Sequence, residues 1–380
     1  MDALAAAVPA PPSRGLALKV RLLLVNSATA TMWGGGEMWF TEAARWFSGR
    51  GHEVKVVGRP DSRFLGAVRE SGLDAEDFDF GGDYDPIATL RALGLQWRFR
   101  PDCVLVNFNK EAWLFGRGAK TMGRPVVARH GLTLFKDKRV HHLVYRWHMD
   151  RVVVNATSIR EEYARLGFDT AKVSVILNGV RDVPRRDGEL RAQLGVDSGA
   201  LLVGAAGRLD PQKRFDRYLR VAEAITGSGV DARFVLLGDG GQRAELERAH
   251  AASRLGDRFV FGGFCADFAA RAGDLDLFLL TSANEGTPNA LLEAMARGVA
   301  CVAFDVGAVG EMLTGDCAEG LILRGDEVAM AERAVELLRD PTRRRDLGQA
   351  QRRRACEDLS FERSMLAYED LLWSLRRHGD

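Results

Sequence analysis

The chain has 380 residues, 46% of them hydrophobic and 28% charged, the balance of a globular protein long enough to bury its own core and to divide into two domains. Lysine plus arginine number 53 and aspartate plus glutamate 52, a near-neutral balance that argues against a dedicated nucleic-acid binder. The five cysteines, Cys103, Cys265, Cys301, Cys317 and Cys356, are odd in number and form no Cys-x-x-Cys pair, so a disulfide framework and the usual zinc spacings are both disfavoured and reduced thiols are expected.

In chain order, residues 1–17 are rich in Ala and Pro and read as a disordered tail rather than a signal peptide. No apolar run is long enough to span a bilayer, and a cytoplasmic location is expected. Val20 to Val25 is a continuous apolar run that suits a strand buried on both faces. It passes through Asn26-Ser27 into Gly34-Gly35-Gly36, then a helix from Glu37 to about Ser48, and a second strand at Val54 to Val57. That is one βαβ unit. Further strands are predicted at Cys103–Val106, Pro125–Ala128, Arg151–Val154 and Val173–Leu177, with helical segments between most of them. The stretch Val180 to Glu189 is charged and poor in apolar residues, which places a domain boundary there.

The pattern then restarts, with strands at Leu201–Ala206, Phe234–Leu237, Phe259–Phe261, Leu277–Leu280 and Ala300–Phe304. Two α/β domains in series follow, over 18–182 and 183–358, each a mostly parallel sheet covered by helices. Ligands in such sheets collect at the carboxyl ends of strands. The final segment, Ser360 to Arg377, places Phe361, Met365, Leu366, Tyr368, Leu371, Leu372 and Leu375 at helical spacing and reads as an amphipathic helix seeking a partner surface.

The densest chemistry runs from Thr281 to Gly298, where a buried strand leads to a helix opening near Pro288. Glu285 precedes this helix and Glu293 lies inside it; the helix N-terminus suits a phosphate or a sugar hydroxyl. The plainer readings are helix-dipole compensation for Glu285 and a solvated position for Glu293. Arg208 and Lys213 follow a strand end at Gly207 and could hold a diphosphate, or form an exposed basic turn. Gly238-Asp239-Gly240-Gly241 follows another strand; it would admit a ligand to the backbone, but a structural turn explains it as well. The loop Trp33 to Glu37 is similar in kind, and His130 follows a strand end.

Asp274-Leu275-Asp276 spells an Asp-x-Asp pattern that can bind a metal, but it enters a buried strand and no metal is expected there. The aromatic cluster Trp33, Trp39, Phe40, Trp46 and Phe47 is read as core or as lining of an acceptor site. Arg343–Arg345 and Arg352–Arg354 are read as solvated helix surface, with attraction to anionic lipid as the sharper alternative.

Taken together, these residues resemble the family-four retaining glycosyltransferases of the GT-B fold, the glycosyl transferases group 1. The strongest match is the Glu-x7-Glu segment from Glu285 to Glu293, followed by Gly207-Arg208 with Lys213. Gly238 to Gly240, Asn178-Gly179-Val180, Gly34 to Glu37 and His130-Gly131 occur in the family's order. The resemblance implies two doubly wound Rossmann-like domains facing across a cleft, with residues 359–380 forming a helix that returns to the N-terminal domain. It implies that the C-terminal domain holds a UDP- or GDP-sugar donor and the N-terminal domain a glycan or lipid-linked acceptor, with no metal required.

On that resemblance, Arg208 and Lys213 would bind the donor diphosphate, Glu293 the ribose hydroxyls and Glu285 the donor sugar. Gly207, Gly238 and Gly240 would line the donor site. Backbone N–H groups around Thr287, Pro288, Asn289, Ala290 and Leu291 would add to it, Gly35 and Gly36 would close on the phosphates, and His130 would lie near the transferred sugar. The leaving phosphate would deprotonate the acceptor on the same face. Polysaccharide or lipopolysaccharide biosynthesis is the role the family suggests, with peripheral contact to the inner face of the membrane and no nucleic acid as partner. A sugar-nucleotide epimerase on the same fold and a non-catalytic nucleotide-sugar-binding protein are the alternatives.

Overall fold

The computed structural model describes residues 19–30, 32–82 and 85–376; the tail read over 1–17 and Arg377 lie outside the described residues. Seven strands form the first sheet: β1 (Arg21–Asn26), β2 (Glu53–Gly58), β3 (Asp74–Asp77), β4 (Cys103–Val106), β5 (Val126–His130), β6 (Arg151–Val154) and β7 (Val173–Val175). Their order is β3-β2-β1-β4-β5-β6-β7. Six strands form the second: β8 (Leu201–Ala206), β9 (Ala232–Leu237), β10 (Phe259–Gly263), β11 (Leu277–Leu280), β12 (Ala300–Phe304) and β13 (Leu321–Ile322). Their order is β10-β9-β8-β11-β12-β13, parallel at every pairing.

The central strands are the ones the hydropathy marks most clearly. Leu22 to Val25 and Leu277 to Leu280 are buried on both sides of their sheets, as parallel strands covered by helices must be. Two edge strands carry no such signal. β3 is Asp-Ala-Glu-Asp, half exposed, with Lys55 of β2 paired to both Asp74 at 2.8 Å and Glu76 at 3.3 Å. β13 is only two residues long.

By their contacts the residues group into two units: one holds the described residues up to His130, Leu134–Val153 and those from Met365 on; the other holds 131–133 and 154–364. The second unit therefore begins ahead of the composition shift at Val180–Glu189. Its early residues are pinned within that unit: the Thr157 amide and hydroxyl both donate to Glu311 at 2.8 Å, and the Phe361 amide donates to the Val180 carbonyl at 2.8 Å. The shift itself contains the start of a short helix, Glu189–Leu194.

In the first unit, the helices Pro86–Phe99, Asn109–Thr121 and Arg139–His148 connect β3 to β4, β4 to β5 and β5 to β6. Right-handed crossovers running the same way across the sheet put all three on one face, where each packs on the next. The first of them is started by Asp85, whose carboxylate accepts the amides of Ile87 and Ala88, with Pro86 pre-set for the opening turn.

The last helix, Phe361–Arg376, completes this unit. Its buried Glu369 takes a two-pronged bond from Arg50 at 3.0 and 3.1 Å and meets His52 Nε2 at 2.8 Å. His52 Nδ1 accepts the Val20 amide at 3.3 Å, which fixes the ring hydrogen on Nε2 for Glu369. Tyr368 packs against Trp39 with ring centres 4.7 Å apart. All five cysteines are free thiols, and no described helix is long and apolar enough to cross a membrane.

Candidate functional site

In the second sheet β8 and β11 lie side by side at the centre, and the chain leaves them in opposite directions, toward β9 and β12. This reversal opens a crevice beyond the carboxyl ends of the two strands, the general ligand position of such sheets. Arg208 to Arg214 emerge from β8 and Thr281 to Pro288 from β11. The two loops are knitted together: the Ala283 amide donates to the Gln212 carbonyl at 2.8 Å, Gln212 Nε2 donates to the Asn284 carbonyl at 2.7 Å, and the Thr281 hydroxyl to the Lys213 carbonyl at 3.2 Å. Inside this knot Lys213 Nζ lies 2.7 Å from Glu285 Oε1, and the same oxygen accepts the Ser282 hydroxyl at 2.6 Å. Arg208 is not part of it. Its side chain is 68% exposed and bonded through Nε to Asp210 at 2.7 Å.

The loop after Glu285 is held from behind. A Cβ on Gly286 would overlap Asn155 and the Gly131 carbonyl, so only glycine fits there. The Thr287 hydroxyl donates to the Asn155 carbonyl at 2.6 Å and accepts the Asn178 amide at 3.1 Å. With its side-chain amide oriented to satisfy its neighbours, Asn155 also accepts the Thr287 amide and donates to Gly131, each at 3.1 Å. Asn178 Nδ2 donates to Asn289 at 3.1 Å. Thr287 is thus used up in holding the loop. Pro288 caps the next helix without a donor, and the amides of Asn289, Ala290 and Leu291 open that helix, Asn289–Ala296.

Glu293 sits in this helix between the buried Leu292 and Ala294. It is half-buried, and among the described residues its carboxylate has no hydrogen-bond or ion-pair partner. Burial pushes its carboxyl up to about 7.

The glycines after β8 and β9 serve chain-on-chain approach. A Cβ on Gly238 would overlap the Gly207 carbonyl. The Gly207 amide donates to the Leu237 carbonyl and the Leu209 amide to that of Asp239, both at 2.9 Å, and Gly240 lies against the Leu209 backbone. The structural-turn reading accounts for Gly207, Gly238 and Gly240 by themselves.

In the first unit the helix Gly35–Gly49 opens with Gly35 and Gly36 and carries the buried Glu37 in its first turn. His130 closes β5. It is fully buried, edge-on to Phe135 at 4.8 Å, and burial together with the neighbouring Arg129 pushes its imidazole down to about 3, so the ring is neutral. Arg129 is itself buried over the Trp39 ring at 4.4 Å.

The crevice of this sheet, between β1 and β4, is occupied from within. Glu111 is fully buried and accepts the amides of Ser27, Asn107 (2.6 Å) and Phe108 (3.0 Å). Asp274 and Asp276 are likewise structural: Asp274 accepts the amides of Gly188, Leu190 and Arg191, and Asp276 pairs with Arg191 at 2.6 Å and Arg344 at 3.2 Å. The arginine runs are partly structural too, which corrects their reading as solvated surface: Arg344 ties Asp276, Arg343 ties Glu319 at 2.5 Å, and Arg354 ties Asp358 at 2.8 Å.

Residues 200–340 match the family model for glycosyl transferases group 1, and residues 33–182 that for glycosyltransferase family 4. A GDP-mannose-dependent alpha-(1-6)-phosphatidylinositol dimannoside mannosyltransferase of Mycobacterium tuberculosis is 32% identical over 357 residues, covering 87% of this chain and 91% of the relative. The chain belongs to glycosyltransferase family 4. A 2-deoxystreptamine N-acetyl-D-glucosaminyltransferase of Streptomyces fradiae is also 32% identical, over 279 residues and 66% of each chain. Among solved structures, Anabaena Alr3699/HepE in complex with UDP superposes with a TM-score of 0.82 over 93% of this chain and 100% of that one, at 20% identity. The fold of this glycosyltransferase is accordingly GT-B, with two Rossmann-like parallel sheets.

Of the residues singled out in this family-four chain, the structure brings Lys213 and Glu285 together and places Glu293 on the helix that leaves the same loop. It leaves Arg208 extended on the surface and His130 fully enclosed. The sequence reading missed Ser282, which orients Glu285, and Asn155, which holds Thr287. Each is a small polar residue just past the end of a buried strand, a position where function concentrates.

Proposed function

We propose that this glycosyltransferase moves a sugar from a UDP- or GDP-sugar to a glycan or lipid-linked acceptor, with retention of anomeric configuration and no metal requirement. The observation that carries the reading is Glu293, a half-buried carboxylate with no partner among the described residues, on the helix that starts at the crevice holding Lys213 and Glu285. A ribose diol supplies the two hydroxyl donors such a carboxylate lacks. The diphosphate then falls toward Lys213 and the first turn of Asn289–Ala296, where Asn289, Ala290 and Leu291 present amides. Arg208, exposed and bonded to Asp210, adds a second cation when it exchanges that partner for the diphosphate.

Cleavage of the sugar–phosphate bond builds negative charge on the leaving diphosphate. Lys213 and the helix N-terminus meet that charge already in position, which is how preorganised groups lower a barrier, and Arg208 joins them once its side chain turns in. Glu285, oriented by Ser282 and Lys213, accepts hydroxyls of the donor sugar. The leaving phosphate takes the acceptor proton on the face it vacates, so no carboxylate nucleophile is assigned. The relatives' names, one acting on a phosphatidylinositol mannoside and one on 2-deoxystreptamine, support a hydroxylated acceptor, and cell-surface glycan or lipopolysaccharide assembly is the role proposed.

Thermal-shift titration with UDP, GDP, ADP and their sugar conjugates, with magnesium and with a chelator, tests the donor assignment, because a ligand of the folded state raises the melting temperature. One nucleotide is expected to stabilise the wild type equally in chelator and to lose its effect in Glu293→Ala. Stabilisation that survives in Glu293→Ala removes the ribose assignment. The anomeric configuration of the product, read by NMR, decides retention.

A further inference from the structure

Within the arginine runs, Arg352 and Arg353 have no structural role of the kind that Arg343, Arg344 and Arg354 have. Both are exposed at the end of the helix Pro341–Arg353, and neither has an acidic partner among the described residues. They line a cavity of about 490 Å³ in the second unit, together with Asp182, Gln349, Cys356 and Glu357. That volume lies in the range of small-molecule sites, about 300–1,000 Å³.

The helix explains why these side chains converge. Gln349, Arg352, Arg353, Cys356 and Glu357 follow one another at steps of three and four residues and so share a face. Past Arg353 the helix opens into one wider turn, with the Leu359 amide donating to the Arg354 carbonyl at 3.1 Å, a geometry found mostly where proteins bind something. The surroundings are fixed. Gln351 is buried and bonds both the amide and the carbonyl of Cys301 in β12, at 2.7 and 3.0 Å. Arg297, with only 2% of its side chain exposed, donates to Asp182 at 3.0 Å and neutralises the acid of the cavity wall.

With Asp182 paired, the cavity keeps two cations and one acid, Glu357, whose carboxylate has no partner among the described residues. A bare anion uses the arginines and is repelled by Glu357. A neutral sugar uses Glu357 and Gln349 and leaves both guanidinium groups idle. A ligand with a phosphate at one end and hydroxyls at the other engages all four, phosphate oxygens on the guanidinium groups and hydroxyls on the carboxylate and amide. A neighbouring cavity of about 510 Å³ shares Arg353 but is lined by Asp316, Glu319, Asp340 and Asp346, and its Arg343 is already tied to Glu319, so it repels the same ligand.

We propose that the cavity at Arg352 and Arg353 binds a phosphorylated sugar as a free small molecule. It stands away from the crevice of Lys213 and Glu285: the Arg352 stem lies against Gly298, past the far end of the helix Asn289–Ala296, whose first turn opens at that crevice. The proposal does not depend on the donor assignment.

Cys356 is the reporter, because it lines the cavity and is the exposed thiol among the five. Its alkylation by iodoacetamide, a neutral reagent, is followed in the full chain by mass spectrometry, as the ratio of rates without and with each probe. Glucose 6-phosphate is expected to slow alkylation about tenfold near saturation, inorganic phosphate to need about tenfold higher concentration, and glucose to have no effect. Arg352→Glu with Arg353→Glu, at exposed positions that leave the melting temperature unchanged, abolishes the protection. Glu357→Ala weakens protection by glucose 6-phosphate about tenfold and leaves that by inorganic phosphate no weaker. Lys213→Ala, in the other crevice, retains all of it.

No protection by glucose 6-phosphate, protection that survives the double reversal, or equal potency of inorganic phosphate each overturns the proposal. Protection lost in Lys213→Ala does so too, since the ligand then sits in the donor crevice. Protection by phosphatidylglycerol vesicles and not by glucose 6-phosphate gives the two arginines to a lipid surface instead.

Discussion

The two sheets end in the same kind of crevice and treat it in opposite ways. Between β1 and β4 the chain inserts its own carboxylate, and Glu111 takes the amides of Ser27, Asn107 and Phe108 that a bound anion would otherwise take. Between β8 and β11 the chain supplies a cation, Lys213, paired with Glu285, and among the described residues Glu293 has no partner. A shared architecture therefore says little about where a nucleotide binds. Which charged groups at each crevice already have a protein partner says more.

Breaking the filled crevice has the largest expected effect. Glu111→Ala leaves three amides, that of Asn107 buried and those of Ser27 and Phe108 partly so, without their acceptor and is expected to cost about 3–5 kcal/mol of stability by denaturant titration. Nucleotide affinity of the folded fraction is expected to stay unchanged; a lost nucleotide response in folded protein would mean that the first crevice also serves the donor. Breaking the open one at Lys213→Ala is expected to lower the transfer rate by about 10²–10³-fold, the scale of removing one preorganised charge-stabilising donor, with donor KM moving less than kcat. A smaller effect separates holding from binding: Thr287→Val removes the hydroxyl shared by Asn155 and Asn178 and is expected to cost about 1–3 kcal/mol, read in the melting temperature.

The subtlest test is pH. With its folded carboxyl up at about 7 and an ordinary value near 4.5 when unfolded, Glu293 holds more proton folded than unfolded between those limits. Its contribution to stability is therefore greatest at low pH, falls as pH rises from about 4.5 to 7, and is flat above. Nucleotide affinity moves the other way, tightening as the ionised carboxylate forms, by about tenfold per unit at most. Glu293→Gln should flatten both curves; a wild-type-like affinity curve in that variant would assign the titration to another group.

Much of this was legible before any coordinates. The buried central strands announce themselves as apolar runs, and the Glu285–Glu293 spacing with Lys213 marks the candidate site because strand end, glycine loop and helix start coincide there. Edges were not legible: Asp74–Asp77 has almost no hydropathy signal, since an edge strand is held by ladder bonds and by Lys55 rather than by burial. The spacing also could not tell that Arg208 turns back on its near neighbour Asp210 and stands apart from Lys213, nor that Thr287 is absorbed by Asn155, a residue far away in the chain. Glu111 was hidden for the opposite reason. An acid three residues into a helix reads as an ordinary cap, and only the fold shows that it reaches across to Ser27.

The clasp of Glu369 on Arg50 and His52 has a consequence for how the molecule is made. The first unit is finished by a helix that emerges only after most of the other unit has been made. Between Val153 and Met365 the ribosome must deliver all of the other unit but residues 131–133, which at about 5–20 residues per second takes roughly 10–40 s. Throughout that interval Trp39 and His52 wait uncovered on a nascent chain, a natural station for a chaperone, and the order of completion is the reverse of the order of synthesis.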